Sequence, residues 1–319
     1  MTCFDIFNGD ADGICALHQL RLSCPRKSEL VTGVKRDISL LKKVEAQAGD
    51  KLTVLDISLD KNRDDLLRLL DAGAELFYCD HHFAGEIPTS DRLQARIDTS
   101  ADTCTSLLVN SYLDGAHLPW AVTAAFGDNL FDSARAAAAP LKLSDARLSQ
   151  LEQLGTLINY NGYGVTPEDL HFHPADLYRA ISPYADPFAF IAESADFARL
   201  AEGYEADMAQ ARNLTLAVEE EYIAVVVLQD APWTRRVSGV YGNELARQYP
   251  DRAHALLTAL PGGEFRISVR APLNNKTGAD ELCMMFPTGG GRKAAAGINA
   301  LPAAMYDAFI DAFREKYEQ

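Results

Sequence analysis

Acidic residues stand where this chain's apolar runs end. Cys3-Phe4-Asp5-Ile6-Phe7 gives way to Asp10 and Asp12, Leu52-Thr53-Val54-Leu55 to Asp56, and Ala74 to Cys79 to the triplet Asp80-His81-His82. The helix-like stretch from Ala121 to Phe126 is followed by Asp128. The first three runs have the length and texture of short buried strands. Neighbouring strands of a parallel sheet bring their carboxyl ends to one crevice, where open α/β sheets hold their ligands. Five carboxylates and two imidazoles gathered there would leave much like charge unneutralised, and a pair of divalent cations is the simplest remedy.

Up to about residue 100, strand-like runs at 3–7, 30–34, 52–57, 74–79 and 95–98 alternate with helical patterns near 13–22, 38–48 and 61–72. In the last of these, leucines recur at helical spacing with charges on the other side. Alternation with connections this short predicts parallel βαβ units. From 103 to about 200 the pattern is mostly helical, cut by Pro140, Pro167, Pro174, Pro183 and Pro187. Residues 196–220 read as one polar, solvated connecting helix. Beyond it, 222–228, 255–260 and 265–269 read as strands, and 239–248 and 303–316 as helices. The expected architecture is α/β: a parallel-sheet domain over 1–195, a connecting helix over 196–220, and a smaller mixed α/β domain over 221–319.

The bulk numbers narrow the class. A chain of 319 residues, 48% hydrophobic and 24% charged, is long enough for two globular cores. It contains no run of about 18 apolar residues, so no membrane span is expected. Asp5 inside the first apolar run, with no basic residue ahead of it, does not read as a secretory signal. The six cysteines form no CxxC pair, and a reduced, cytoplasmic setting follows. A net charge of −15, with no basic block longer than two residues, argues against a groove for long nucleic acid, whose affinity comes from phosphate contacts. A small phosphorylated ligand held by a few cations fits better.

Asn8-Gly9-Asp10-Ala11-Asp12-Gly13 places two carboxylates at i and i+2 in a glycine-flanked loop, where both can turn toward one point. Alone, it reads equally as an acidic turn with a helix cap. Asp80-His81-His82 mixes a hard oxygen donor with borderline nitrogen donors, a set that suits Mn²⁺, Fe²⁺ or Zn²⁺ better than Ca²⁺. An acid at the end of a buried strand, as at Asp56, needs a partner that a cation can supply.

Taken in this order, these residues resemble the DHH phosphoesterases. The first motif of that family matches Asp10 and Asp12, the second Asp56, the third Asp80 to His82, and the fourth Asp128. Thr288 to Gly297 resembles the glycine-rich signature of the DHH-associated domain, whose Gly289, Gly290, Gly291, Arg292 and Lys293 would bind substrate phosphate, with Arg270 closing the preceding strand. Uncovered glycine amides let an anion approach closely.

The resemblance implies two Mn²⁺ ions, or Mg²⁺ or Co²⁺ in their place. Asp56 would bridge them, Asp10, Asp12, His81 and Asp128 would complete their shells, and Asp80 would act as a ligand or support. His82 would face the scissile phosphate, and the C-terminal domain would grip the substrate across a cleft. The implied activity is phosphoester hydrolysis, by metal-activated water, of short oligonucleotides or small nucleotides, as in nanoRNases and phosphoadenosine-phosphate phosphatases. The alternatives are a single-strand exonuclease and a nucleotide-binding regulatory protein with reduced or lost catalysis. A homodimer is the further partner expectation. Two positions depart from the family pattern. No histidine precedes the first acids, so Asn8 offers the first metal a neutral amide oxygen or nothing, and Arg292 stands where a histidine is usual.

Overall fold

The computed structural model describes residues 1–260 and 262–318. Two compact units divide the chain, Met1–Gly203 and Tyr204–Gln319.

The first unit opens with β1 (Cys3–Phe7), α1 (Ala11–Ser23), β2 (Glu29–Val31), β3 (Lys51–Leu55), α2 (Arg63–Asp71), β4 (Glu75–Asp80) and β5 (Leu93–Ile97). These strands form a sheet of order β2-β1-β3-β4-β5, parallel throughout. After β1 the chain adds β2 on one side and then crosses to β3 on the other, so β1 and β3 flank a topological switch point. Alternation splits the strands between two faces. Phe4, Ile6, Leu52, Val54, Leu76 and Tyr78 pack on Leu66, Leu69 and Leu70 of α2. On the other face Asp5 meets Arg21 of α1.

Helices follow: α3 (Thr105–Tyr112), α4 (Leu118–Gly127), α5 (Phe131–Ala138), α6 (Asp145–Asn161), α7 (Pro174–Ile181), α8 (Pro187–Glu193) and α9 (Ala195–Arg212). Their starts are written in the chain. Ser144 caps α6, and prolines open α7 and α8, where a missing N–H costs no hydrogen bond.

The second unit contains β6 (Val218–Glu219), β7 (Ile223–Leu228), α10 (Pro232–Gln248), β8 (Ala253–Leu260), β9 (Glu264–Arg270), α11 (Ala279–Met284), β10 (Gly289–Arg292), β11 (Ala295–Pro302) and α12 (Tyr306–Tyr317). Its sheet runs β10-β11-β9-β8-β7-β6, with only the β7–β8 pair parallel. Ile223, Val225, Leu257, Ile267 and Val269 pack on Leu282, Phe309 and Phe313.

Three expectations need correction. The helix expected over 38–48 is an irregular segment with one 3₁₀ turn at Leu41–Lys43. Side chains take the backbone groups that a helix would use: Asn62 bonds Leu41 N and Ile38 O, and Arg68 bonds Leu41 O and Val44 O. The connecting helix ends at Arg212, and Val218–Glu219 joins the second sheet as a strand. The helix expected from 239 begins earlier, at Pro232, a proline in its first turn. The glycine-rich segment is extended. Gly289–Arg292 is an edge strand paired with Ala295–Ile298, and Lys293-Ala294 makes the two-residue turn of a hairpin.

Candidate metal centre

The acids do meet. Asp10 and Asp12 follow β1, Asp56 follows β3, Asp80 ends β4, and Asp128 caps the C-terminus of α4. Gly9 and Gly13 permit the tight backbone between β1 and α1: a Cβ on Gly13 would lie 2.2 Å from Asn8 O, and one on Gly9 only 1.9 Å from Gly33 O. Asp56 occupies the left-handed region at φ +59°, a conformation Asp tolerates better than most residues, and donates its amide to Cys79 O at 3.1 Å.

His81 stands at the middle of the cluster. Its Nε2 lies 3.5 Å from Asp56 Oδ1, 3.7 Å from Asp128 Oδ2 and 3.9 Å from Asp12 Oδ2. Its Nδ1 is 3.1 Å from the carbonyl oxygen of Thr103, which can only accept. Nδ1 therefore carries a proton, and Nε2 is the ring nitrogen turned to the three carboxylates. His82 is held by Nδ1 on Asp80 Oδ1 at 2.8 Å.

Two donor sets have ligand atoms all within 4.8 Å of one another: Asp12, His81 and Asp128, and Asp56, His81 and His82. Asp80 Oδ2 is buried with no hydrogen-bond partner. Clustered carboxylates beside an imidazole nitrogen, with the Asp80 Oδ2 left unpaired, fit a divalent cation of the Mn²⁺ type.

Residues that the sequence did not single out hold this arrangement. The first amides of α3 point at Asp12: Thr105 N donates to Oδ2 and Ser106 N to Oδ1, both at 2.7 Å. Thr105 Oγ1 donates to Asp56 Oδ1 at 3.2 Å. Lys35, just beyond β2, inserts its ammonium between Asp10 Oδ2 at 2.5 Å, Asn159 Oδ1 at 2.9 Å and Asp128 Oδ1 at 3.4 Å.

The electrostatics follow from this crowding. Burial, then the charges of Asp12, Asp10, Asp128 and Asp80, push the Asp56 carboxyl well above its ordinary range. Burial also raises Asp128, only partly offset by Lys35. At Asp10 burial acts upward, but Lys35 outweighs it and holds the carboxyl below its usual value. Burial works against charge on Lys35, yet Asp10 and Asp128 keep its pKa well above the ordinary lysine value. These are the marks of a site short of positive charge.

Compared by sequence, the chain matches no family model, and no curated protein matches it significantly. Its structure does have relatives. A manganese-bound RecJ exonuclease aligns with 98% of this chain and 89% of its own at 17% identity, with a TM-score of 0.62. The DHH domain of a protein assigned to a family of ribosomal proteins gives 0.63 at 13% identity, covering 98% and 86% of the two chains. The pGpG-specific phosphodiesterase PggH from Vibrio cholerae gives 0.56 at 14% identity over 99% and 100%. The chain has the DHH fold. Identity this low establishes the fold alone; the DHH triplet of this chain lies at Asp80 to His82, where β4 meets the acid cluster.

The second unit carries the remaining expected site residues. Arg270 ends β9, with Nε on Asn243 Oδ1 at 2.7 Å and Nη1 on Ser268 Oγ at 2.9 Å. Arg292 and Lys293 are exposed at the hairpin tip. Gly290 faces open space, whereas Gly289 lies so close to Cys283 O that a Cβ would sit 1.7 Å from it. β10 lies at the edge of its sheet, and the Gly289 amide donates to Phe286 O at 3.1 Å. Among the described residues no helix is long and apolar enough to cross a membrane.

Proposed function

We propose that this protein is a metal-dependent phosphoesterase that hydrolyses short oligonucleotides or small nucleotides, with Mn²⁺ as the working ion. The single observation that carries the reading is the His81 imidazole, locked by Thr103 so that Nε2 faces Asp12, Asp56 and Asp128 at the carboxyl end of a parallel sheet. Relatives by fold include an exonuclease bound to manganese and a dinucleotide phosphodiesterase, which supports the choice of reaction class.

Asp12, Asp56, Asp128 and His81 would hold the ion. Bound there, a divalent cation supplies positive charge to phosphoryl oxygens and acidifies water. The chain's own groups do the rest. The amides of Thr105 and Ser106 fix the Asp12 carboxylate in place. Asp80 accepts the Nδ1 proton of His82, which leaves His82 Nε2 as the atom to hold or release a proton at the substrate. Burial opposes charge on His82, but the hydrogen bond and charge of Asp80 prevail and raise its pKa, favouring a proton donor for a leaving oxygen. Arg292, Lys293 and the glycine strand of the second unit would bind substrate phosphate.

A net charge of −15 favours short substrates over long single strands. Comparing Mn²⁺-dependent rates on a trinucleotide and a long single strand tests this. Faster cutting of the trinucleotide is expected, and faster cutting of the long strand would establish the exonuclease alternative.

A further inference from the structure

Lys35 occupies ground that the two-ion expectation assigns to metal. We infer that its ammonium takes the place of the second cation, so that the centre binds a single divalent ion among Asp12, Asp56, His81 and Asp128, an inference that rests on the metal-dependent reading above.

The ammonium has a site of its own. A lysine head group has three N–H donors, and three acceptors surround this one: Asp10 Oδ2 at 2.5 Å, Asn159 Oδ1 at 2.9 Å and Asp128 Oδ1 at 3.4 Å. The Tyr163 ring centroid lies 5.8 Å from the nitrogen, and Asn159 Nδ2 donates to Tyr163 Oη at 3.3 Å, which orients the amide oxygen toward Lys35. Both backbone ends of the residue are fastened as well. Lys35 N donates to Gly162 O at 2.9 Å, and Lys35 O accepts from Asn8 Nδ2 at 3.2 Å. A side chain held from its main chain to its tip is a built element of the site.

Asp10 then loses its expected role. Asp10 Oδ1 accepts the amides of Asp12 and Gly13, capping α1, and Oδ2 takes the ammonium, so its lone pairs are largely committed. Asn8 braces the lysine backbone through Nδ2, while its Oδ1 is buried with no hydrogen-bond partner. Asp128 is the shared group: Oδ1 faces Lys35 while Oδ2 faces His81, as a carboxylate does when it joins two positive centres. On the His81 side the donors remain uncommitted to lysine or arginine, and the two donor groups found there, Asp12–His81–Asp128 and Asp56–His81–His82, share the His81 imidazole, so that is where one ion fits. An ion on the Lys35 side would have to expel the ammonium from all three acceptors, or bear its repulsion at contact distance.

Dialysis of the full chain against excess Mn²⁺, with bound metal counted by mass spectrometry, is expected to give one ion per chain, and its EPR spectrum should show the resolved hyperfine lines of isolated Mn²⁺. Lys35→Ala and Lys35→Met both remove the ammonium, and each is expected to raise the count to two and produce an exchange-coupled spectrum. Two coupled ions in the wild type would overturn the inference while leaving the hydrolase reading standing. No bound ion in the wild type would overturn both. A count that stays at one in a variant shown to be folded by circular dichroism would also overturn it, because the ammonium would then not be what excludes the second ion. Should neither variant fold, the wild-type count decides alone.

Discussion

His81 donates its Nδ1 proton to the carbonyl oxygen of Thr103 at 3.1 Å, and that bond alone determines which nitrogen the acid cluster meets. His82, the next residue, is held through its Nδ1 on Asp80. Two adjacent imidazoles are thereby given separate tasks. His81→Ala is expected to lower Mn²⁺ affinity by tenfold or more, whereas His82→Gln should keep affinity within about threefold and abolish turnover. Calorimetric titration beside a hydrolysis assay checks the split. Equal loss of metal in both variants would refute the division of labour.

Asp12 serves the fold and the centre together. Its two oxygens receive the amides of Thr105 and Ser106 across 93 and 94 residues of sequence, tying α3 to α1. Asp12→Ala strands both amides in a buried site and is expected to cost roughly 2–4 kcal/mol of stability by urea unfolding, with loss of metal binding as well. Asp12→Asn keeps an acceptor and should recover part of the stability but little of the affinity.

Asp5 lies on the face of β1 that meets α1, fully buried and bound in a fork by Arg21 at 2.6 and 2.8 Å, with Ser28 Oγ at 2.5 Å and Arg26 at 3.0 Å. Asp5→Ala leaves the Arg21 charge without its counterion and is expected to destabilise by about 3–5 kcal/mol. The exposed pair Asp176–Arg179 provides the contrast: removing it should change stability by less than about 1 kcal/mol. Chemical denaturation of both variants tests the difference.

The same criterion that finds the acids explains what was missed. Asp10, Asp56 and Asp80 are legible because each follows an apolar run of strand length, and parallel pairing then brings them together. Lys35 also follows such a run, the one read as 30–34, and β2 is a strand of the same sheet. A lone lysine after Gly33-Val34 carries no pattern, however, and its partners Asp128 and Asn159 lie 93 and 124 residues away. The support given by Thr105 and Ser106 is hidden for a similar reason, since backbone amides have no sequence signature. Helical spacing misled at Leu40, Leu41 and Val44. Those side chains are buried as the pattern requires, but Asn62 and Arg68 claim the backbone hydrogen bonds. The composition of the glycines at 289–291 is silent about the β11 partner that makes them a strand.

His18 makes the stability pH-dependent. Burial pushes its pKa from 6.5 down to about 4, with Nε2 on the carbonyl oxygen of Tyr184 and the ring edge-on to Trp120. The folded chain holds this imidazole neutral while the unfolded chain protonates it below about 6.5. Its contribution is therefore complete above pH 6.5 and is lost as pH falls toward 4, by roughly 3 kcal/mol in all. His18→Phe should flatten the wild-type stability curve across that window by the same amount, read as a difference in slope so that the lost hydrogen bond does not enter. An unchanged slope would contradict the assignment.

The most direct measurement is hydrolysis of a dinucleotide by the full chain with Mn²⁺, with chelator in place of Mn²⁺, and with Mn²⁺ and Asp56→Asn. The acids and His81 converging on a cation at the carboxyl end of the sheet require turnover in the first case and none in the other two. Cleavage that persists in chelator or in the variant, or dinucleotide binding without turnover in the Mn²⁺-loaded wild type, would contradict the reading of this site as a metal-dependent phosphoesterase.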